Sequence, residues 1–244
     1  MNTQAIERLI RLTANRIGID IKRYKDDSSE HAKIVKMLKS NGINLVIDIG
    51  ANHGQYAKIL RRYGYLGRII SFEPLRSAWT ALEYASRNDS AWDVFPRCAI
   101  GDMISSEKIN ISRNSVSSSL LEMLDQHAKS APDSAYIAEE SVDIITLDHA
   151  LDKIIKDDNE RMFIKIDTQG YEQKVLMGAT QSITDAIGIQ VELSFVPLYQ
   201  NQELFAEILQ RLTDSGFSIW SIFPGFTDPY SGRMLQCDAV LFRN

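Results

Sequence analysis

The chain alternates between two kinds of segment from residue 44 to residue 242. Short apolar runs rich in β-branched residues, such as 44–50, 68–74 and 162–167, are typical of buried parallel strands. The segments between them, such as 55–63 and 77–87, carry apolar residues at helical spacing. Because parallel neighbours need crossover connections, this alternation predicts an α/β fold with a doubly wound, mostly parallel sheet.

The remaining elements follow from the same patterns. We predict further strands over 94–100, 107–112, 141–147 and 187–192, and helices that end at 155, cover 173–179 and cover 202–214. Residues 115–119 are Ser-rich and loop-like, and 122–140 are polar and irregular. The runs 217–223 and 238–242 predict a closing strand pair, with 224–232 as the hairpin loop. No linker or repeat divides the chain, which predicts one domain over 44–244.

The first 43 residues predict a helical cap on this domain. Apolar residues fall on one side of two helical segments, which a loop signal at 26–29 separates. The residues on that side are Ile6, Leu9, Ile10, Thr13 and Ile17 in the first segment, and Ile34, Val35 and Leu38 in the second. The segments are also basic, so contact with a membrane surface is the alternative. We favour packing on the domain and expect no membrane contact.

Charge is distributed unevenly along the chain. Residues 1–40 hold nine Lys/Arg and five Asp/Glu, whereas the remainder holds 18 Lys/Arg and 27 Asp/Glu. An acidic body is a poor nucleic-acid surface, because phosphate contacts need clustered cations. It suits a cationic small molecule better.

Two further features concern the compartment. The chain shows no apolar run long enough to span a membrane and no signal-peptide pattern. Its two cysteines, Cys98 and Cys237, form neither a disulfide scaffold nor a four-ligand zinc site. We therefore expect free thiols and a cytoplasmic protein.

Carboxylates recur where the predicted strands end. Ligands of an open parallel sheet bind at the carboxyl ends of its strands. The acidic residues at or next to these ends are Asp48, Glu73, Asp102, Asp167 and Glu192.

The first turn after a strand argues against a dinucleotide. A dinucleotide fingerprint starting at Gly50 needs glycines at positions 52 and 55, which are Asn52 and Gln55 here. Asp48 at the end of this strand would repel a pyrophosphate but attract a sulfonium or an ammonium. Glu73, at the end of the next strand, can accept hydrogen bonds from both ribose hydroxyls. A cationic nucleoside without phosphate fits these residues, and S-adenosylmethionine is such a molecule.

The ordered motifs resemble one enzyme family. Asp-x-Gly-x-Asn-x-Gly at 48–54 and Phe-Glu-Pro at 72–74 resemble class I methyltransferases. The run 164–172 (Ile-Lys-Ile-Asp-Thr-Gln-Gly-Tyr-Glu), with 146–148, 176–179, 191–194 and 216–217, resembles the FkbM family of S-adenosylmethionine-dependent methyltransferases over roughly 44–243. The resemblance implies a Rossmann-like, seven-stranded, mostly parallel sheet with an antiparallel closing strand.

The resemblance also implies a cofactor pocket. Its residues would be Asp48, Gly50, Asn52 and Gly54 in the turn, Glu73 for the ribose, Asp102 for the adenine amine, and Ser118 and Ser119 nearby.

An acceptor hydroxyl must lose a proton, and a positioned base speeds this about 10²–10⁴-fold. We predict Asp167, Glu192 and Lys165 as the catalytic group, with a buried ion-pair network as the alternative. Glu172, His53 and, less strongly, His149 are further candidates for the base, while His31 and His127 fit surface or capping positions. Asp167 and Glu192 have no third oxygen donor in the pattern, so we predict no metal site.

These residues predict an O-methyltransferase that acts on a sugar, glycan or polyketide-like acceptor. The alternatives are a catalytically silent cofactor-binding or assembly protein and, third, an NAD-dependent oxidoreductase. A homodimer is compatible with the sequence.

Overall fold

The computed structural model describes residues 3–19, 21, 29–155 and 159–243. Most of the predicted loop at 26–29 lies outside these residues. The strands are β1 (Leu45–Ile49), β2 (Arg68–Phe72), β3 (Trp92–Val94), β4 (Ala99–Ile100), β5 (Ser105–Ser112), β6 (Tyr136–Ile145), β7 (Met162–Ile166), β8 (Gly188–Ser194), β9 (Phe217–Pro224) and β10 (Gln236–Arg243). The helices are α1 (Thr3–Arg16), α2 (Glu30–Ser40), α3 (Gln55–Arg62), α4 (Arg76–Ser86), α5 (Asp125–Ser130), α6 (Leu147–Ile154), α7 (Glu172–Met177), α8 (Thr180–Asp185) and α9 (Phe205–Asp214), with a 3-10 helix over Pro132–Ser134.

Seven strands form the central sheet in the order β3-β2-β1-β7-β8-β10-β9. All neighbours are parallel except β10, which is antiparallel to both β8 and β9. Every residue of β1 and β7 is buried, because helices cover both faces of the sheet there. The structure confirms the predicted doubly wound sheet with an antiparallel closing strand.

The predicted strand over 94–100 is wrong as a single element. The chain leaves the central sheet after Val94 and joins a separate three-stranded sheet, ordered β4-β6-β5, at Ala99. Pro96 lies between the two segments and has no N–H to donate to a strand ladder, so a continuous strand is disfavoured there.

The irregular region predicted over 122–140 is also more ordered than expected. It contains α5, the 3-10 helix and the first half of β6, which pairs in antiparallel register with β5. The predicted helix over 173–179 is shorter, covering α7, and is followed by the unpredicted α8. The last helix begins at Phe205 rather than at Gln202.

The N-terminal helices differ from each other. Ile34, Val35 and Leu38 of α2 are buried in the same apolar cluster as Val46 of β1. The apolar face of α1 is exposed to solvent, with Leu9 58% exposed. The domain boundary at residue 43 stays a prediction.

No helix in the described part of the chain is long and apolar enough to cross a membrane. Cys98 and Cys237 are both free and buried, in agreement with the expectation of unpaired thiols.

Candidate active site

One cavity of about 570 Å³ opens at the carboxyl ends of β1, β2, β7 and β8. This is the edge of an open parallel sheet at which ligands bind, and the volume lies in the range of small-molecule sites. The residues that line the cavity fall into two halves, according to the strands over which they lie. One half lies over β1 and β2, and the other lies over β7, β8 and the start of β10.

The turn after β1 forms the floor of the first half. Gly50 has a φ of +77°, and a Cβ there would lie 1.9 Å from the carbonyl oxygen of Asp167. The close approach of this turn to the end of β7 therefore requires glycine. Asn52 has a φ of +47°, and its amide donates a hydrogen bond to Ser115 Oγ at 3.3 Å across the cavity mouth. Gly50 and Asn52 both line the cavity, as the sequence predicts for cofactor-binding residues.

Glu73 anchors the same half. Its Oε2 accepts a hydrogen bond from the Asn52 backbone N–H at 2.7 Å, and its Oε1 accepts one from the Leu75 N–H at 2.9 Å. Burial raises the pKa of this carboxyl to about 7, although the two backbone hydrogen bonds favour the charged form. Glu73 therefore joins the turn to the end of β2 and lines the cavity with a carboxylate.

The opposite wall comes from the loop after β5. Ser118 and Ser119 line the cavity, and Ser119 Oγ donates a hydrogen bond to the Gln169 carbonyl at 2.7 Å. The surface between this wall and Glu73 is apolar. It is formed by Ile49, Phe72, Leu75, Ile100, Ile109 and Leu120.

Two predicted cofactor residues lie behind the turn and do not line the cavity. Asp48 is fully buried, with its Oδ1 3.3 Å from Lys165 Nζ and its Oδ2 accepting a hydrogen bond from Ser71 Oγ at 3.4 Å. A Cβ on Gly54 would lie 2.6 Å from the Trp92 ring. Asp48 and Gly54 therefore stabilise the turn from the side that faces away from the cavity.

Asp102 also lies apart from the lining. Its Oδ2 accepts a 2.6 Å hydrogen bond from Lys174 Nζ, and the side chain is 12% exposed. An adenine amine would have to compete with this ion pair, so the geometry gives no support to the predicted contact.

Register explains how Lys165 meets two carboxylates. Ser71, Asp48, Lys165 and Gln190 are paired across the four adjacent strands β2, β1, β7 and β8, so their side chains form one row on one face. Lys165 Nζ lies 3.3 Å from both Asp48 Oδ1 and Asp167 Oδ2, and it donates a hydrogen bond to the Gly50 carbonyl. Burial alone would lower the pKa of Lys165, but these carboxylates raise it above its ordinary value.

The second half of the cavity is built around the amide of Gln169. Its Nε2 donates hydrogen bonds to Asp167 Oδ1 at 3.0 Å and to Glu192 Oε2 at 2.9 Å, so one side chain joins the ends of β7 and β8. The hydroxyl of Tyr199 lies 2.9 Å from Gln169 Oε1, which leaves the amide fully partnered. Gln169 adopts a φ of +55°, which is uncommon for a residue with a Cβ and is held by these contacts.

Glu172 closes the loop that carries Gln169. Its Oε1 accepts hydrogen bonds from the backbone N–H groups of Thr168 and Gly170. Burial raises its pKa to about 7. Glu172 shapes the loop from behind and does not line the cavity, so it is poorly placed as a base.

Further polar residues complete this half. Tyr56 donates a hydrogen bond to Gln190 Oε1 at 2.9 Å, and Gln190 Nε2 donates one to Asp238 Oδ1 at 3.1 Å. Gln236 Nε2 donates one to Glu192 Oε2 at 2.7 Å. All four line the cavity, and sequence analysis missed them.

The sequence held a signal for one of the missed residues, and the strand register holds one for a second. Gln190 lies two residues before Glu192 on the same strand and therefore points to the same face. Asp238 lies directly opposite Glu192 in the antiparallel register of β8 and β10, which becomes visible only once the strands are paired.

The histidines occupy different places from those expected. His127 is buried and lines the cavity, with its ring 5.2 Å from Tyr199 and 5.4 Å from Phe226, so the surface prediction is wrong. Burial lowers its pKa to about 4 and keeps the ring neutral. His31 of α2 lines the cavity as well, whereas His53 and His149 do not.

The family model described as Methyltransferase FkbM domain matches residues 48–219, more than two thirds of the chain. The chain belongs to the FkbM methyltransferase family. It is accordingly an S-adenosylmethionine-dependent methyltransferase. A comparison with curated protein sequences gives no match.

Several solved structures are similar to this FkbM protein. Magnesium protoporphyrin IX methyltransferase (ChlM) from Synechocystis PCC 6803, with bound SAM, is 14% identical, with a TM-score of 0.46 over 97% of this chain and 96% of that chain. Precorrin-6y C5,15-methyltransferase from Geobacter metallireducens GS-15 is 10% identical, with a TM-score of 0.45 over 91% and 93%. TehB from Haemophilus influenzae is 9% identical, with a TM-score of 0.47 over 90% of this chain and 64% of that chain.

The first half of the cavity fits the cofactor of the FkbM family. A nucleoside needs an apolar slot for its base and a carboxylate for its ribose, and the surface beside Glu73 offers both. The glycine backbone at Gly50 permits close approach, and the carboxylate of Glu73 suits a cationic nucleoside. In the described part of the chain, no group of three or more His, Cys, Asp or Glu could hold a metal ion.

Proposed function

We propose that this enzyme transfers the methyl group to a hydroxyl of a sugar, glycan or polyketide-like small molecule. The observation that carries the proposal is the pair of carboxylates, Asp167 and Glu192, that Gln169 holds in the cavity beside the cofactor turn. A hydroxyl acceptor needs a carboxylate of this kind to take its proton. Such a base must lie within hydrogen-bond reach of the hydroxyl.

The lining around this pair supports a hydroxyl-rich acceptor. The carboxylate of Asp238 and the amides of Gln190 and Gln236 can exchange hydrogen bonds with several hydroxyls. The rings of Phe223 and Phe226 stand in the same half, and aromatic faces pack well on the apolar faces of sugars.

The two carboxylates have different environments, which suggests different tasks. The side chain of Asp167 is 35% exposed and lies 3.3 Å from the ammonium of Lys165. Burial raises the pKa of Glu192 well above its ordinary value, and the nearby charges of Asp167, Glu172 and Asp238 add to the effect. We therefore assign the base to Asp167, and to Glu192 the task of orienting the acceptor.

When bound, S-adenosylmethionine supplies a methyl group activated by its sulfonium. Asp167 would take the acceptor proton on a carboxylate oxygen, which would make the acceptor oxygen a better nucleophile for that methyl group. Lys165 is a positioning residue, since it holds Asp167 against the turn through Asp48 and Gly50. The cavity walls supply proximity, because both reactants lie over adjacent strands of one sheet.

The cytoplasm is the compartment that we propose. Cys98 and Cys237 are free and buried, which suits a compartment that keeps thiols reduced.

Replacement of Asp167 by Asn tests the assignment of the base. We expect Asp167→Asn to bind S-adenosylmethionine like the wild type, measured by the shift in thermal stability on adding it. We expect its turnover to fall about 10²–10⁴-fold, because the amide cannot take the proton. Asp93→Asn, on an edge strand with a half-exposed side chain, is the matched control and should keep full turnover. Retained turnover in Asp167→Asn would reassign Asp167 to the scaffold.

The acceptor is tested with methyl-labelled S-adenosylmethionine and a panel of free sugars, nucleotide sugars, oligosaccharides and macrolide aglycones. We expect label in a base-stable methyl ether, because an ether resists the hydrolysis that cleaves a methyl ester. Label found only in methyl esters or in N-methyl groups would contradict hydroxyl methylation while leaving the cofactor assignment intact.

A further inference from the structure

Helix α1 presents an uncovered apolar face. Ile6, Leu9, Ile10 and Ile17 follow helical spacing and are 41%, 58%, 50% and 72% exposed. A helix of a folded domain normally buries this stripe against the core, as α2 does with Ile34, Val35 and Leu38. The described part of the chain therefore leaves the apolar face of α1 available to a partner.

The two N-terminal helices carry an excess of positive charge. Arg8, Arg11 and Arg16 of α1 are exposed, and so are Lys33, Lys36 and Lys39 on the outer side of α2. Together these six cations account for most of the nine Lys/Arg in residues 1–40, which hold five Asp/Glu. The remaining 204 residues hold 18 Lys/Arg and 27 Asp/Glu, so the positive charge is concentrated on the side of the N-terminal helices.

The length of α1 fits a surface location. Its 14 residues extend about 21 Å at 1.5 Å per residue, which is less than a hydrocarbon core of about 30 Å. A basic amphipathic helix of this kind lies in the plane of a membrane interface, with its apolar side chains among the acyl chains and its cations near the headgroups.

We propose that α1 docks this protein on an anionic membrane surface. Charge complementarity supports this occupant, because the exposed cations of α1 and α2 would face anionic headgroups while the acidic body would be repelled from them. A second copy of the chain could also cover the apolar face and meet the cations with its acidic body, and the variants below distinguish that outcome.

Docking has a consequence for the active site. Glu30, His31 and Ile34 at the start of α2 line the cavity, on the side of Tyr56, Gln190 and Asp238. Since α1 and α2 are consecutive in the chain, a surface that holds α1 tethers the domain whose cavity α2 lines. The proposal does not depend on hydroxyl methylation, because it rests on residues outside the catalytic group.

The test is co-sedimentation of the full-length protein with vesicles. One set is phosphatidylcholine alone, and the other is phosphatidylcholine mixed with phosphatidylglycerol. We expect binding to the anionic vesicles that weakens as salt is added, and much weaker binding to phosphatidylcholine alone. Absence of binding to the anionic vesicles, or equal binding to both sets, would overturn the proposal.

Two variants separate the apolar and the charged contributions. Leu9→Glu/Ile10→Glu removes apolar contact, and Arg8→Glu/Arg11→Glu reverses charge on the opposite side. We expect each to weaken partitioning to anionic vesicles about tenfold or more. Leu66→Glu is the matched control, since Leu66 is 84% exposed on the body of the protein, and it should bind like the wild type.

The same variants show whether a second copy covers the face instead. All of them should keep the wild-type thermal shift with S-adenosylmethionine, which verifies folding and keeps the outcome separate from the cofactor site. Vesicle binding that survives Leu9→Glu/Ile10→Glu would overturn the proposal. So would a concentration-dependent dimer that this variant abolishes in a protein that binds no vesicles, since that result would assign the face to self-association.

Discussion

We propose that Glu73, which lines the cavity beside the turn after β1, makes cofactor binding sensitive to pH. Its pKa in the folded protein is about 7, so the free protein holds a proton on this carboxyl below neutral pH. A ribose that donates its hydroxyls needs the charged form, so binding must release that proton. We expect the Kd for S-adenosylmethionine to fall by up to about tenfold per pH unit as the pH rises towards 7, and to level off above it.

A variant isolates this effect. Glu73→Gln should weaken binding about 10–100-fold near pH 8, because a charged acceptor is lost, and should flatten the pH profile. Glu139→Gln is the matched control, since Glu139 is half exposed on the small sheet and pairs with Lys108. A steep profile that persists in Glu73→Gln would show that another group carries the proton.

Residue types at strand ends predicted much of the site, but the depth of each side chain could not be predicted. Gly50, Asn52, Glu73, Asp167 and Glu192 all line the cavity. Asp48 and Asp102 have the same kind of motif position and yet are held by Lys165 and Lys174 instead. A carboxylate and its lysine are far apart in the sequence, so only the sheet register brings them together.

At the scale of elements, the close contact between the turn after β1 and the end of β7 fixes the distance between the two halves of the cavity. Gly50→Ala would place a methyl group 1.9 Å from the Asp167 carbonyl, so the turn and β7 must move apart. We expect a loss of about 1–3 kcal/mol of stability and a weaker thermal shift with S-adenosylmethionine.

A second glycine provides the control for backbone strain. Gly232 has a φ of +73°, close to that of Gly50, but a Cβ there would meet nothing within 4 Å. Gly232→Ala should therefore show only the cost of the left-handed conformation and should leave cofactor binding unchanged. Equal changes in stability and in cofactor binding for Gly50→Ala and Gly232→Ala would argue that Gly50 is needed only for its left-handed backbone conformation.

Local patterns predicted the central strands well because both faces of β1 and β7 are buried and the apolar runs are unbroken. They failed at β3 and β4, since the apolar run around Pro96 has the composition of one strand although the chain changes sheets there. The start of β6 at Tyr136 was missed for a related reason. The exposed half of this strand is stabilised by pairing with β5, and the polar residues there carry no alternating pattern.

At the scale of the whole molecule, the burial of several acidic side chains makes the stability of the protein depend on pH. The carboxyls of Glu73 and Glu172 have pKa values of about 7, and that of Asp238 is about 6, all raised first by burial. The unfolded chain releases these protons near the ordinary values of 3.8 to 4.5. Between these limits the folded state binds more protons, so the free energy of unfolding falls as the pH rises.

His127 acts in the opposite direction over part of this range. Its pKa is lowered from 6.5 to about 4, so it favours the folded state as the pH rises. His127 alone opposes the loss of stability that the three acids cause as the pH rises. Glu192 adds to that loss, because its pKa is raised as well. We therefore expect the cofactor-free protein to be more stable at about pH 5 than at about pH 8, as measured by urea unfolding.

Glu172→Gln tests how much of this slope comes from one buried carboxyl. The amide oxygen of Gln can keep accepting the hydrogen bonds from the Thr168 and Gly170 backbones, and its NH₂ group replaces the proton that Glu172 holds. The variant therefore mimics the protonated side chain at every pH. We expect it to be more stable than the wild type at about pH 8, nearly equal at about pH 5, and less dependent on pH between them. A pH profile of unfolding parallel to that of the wild type would show that Glu172 is charged in the folded protein throughout.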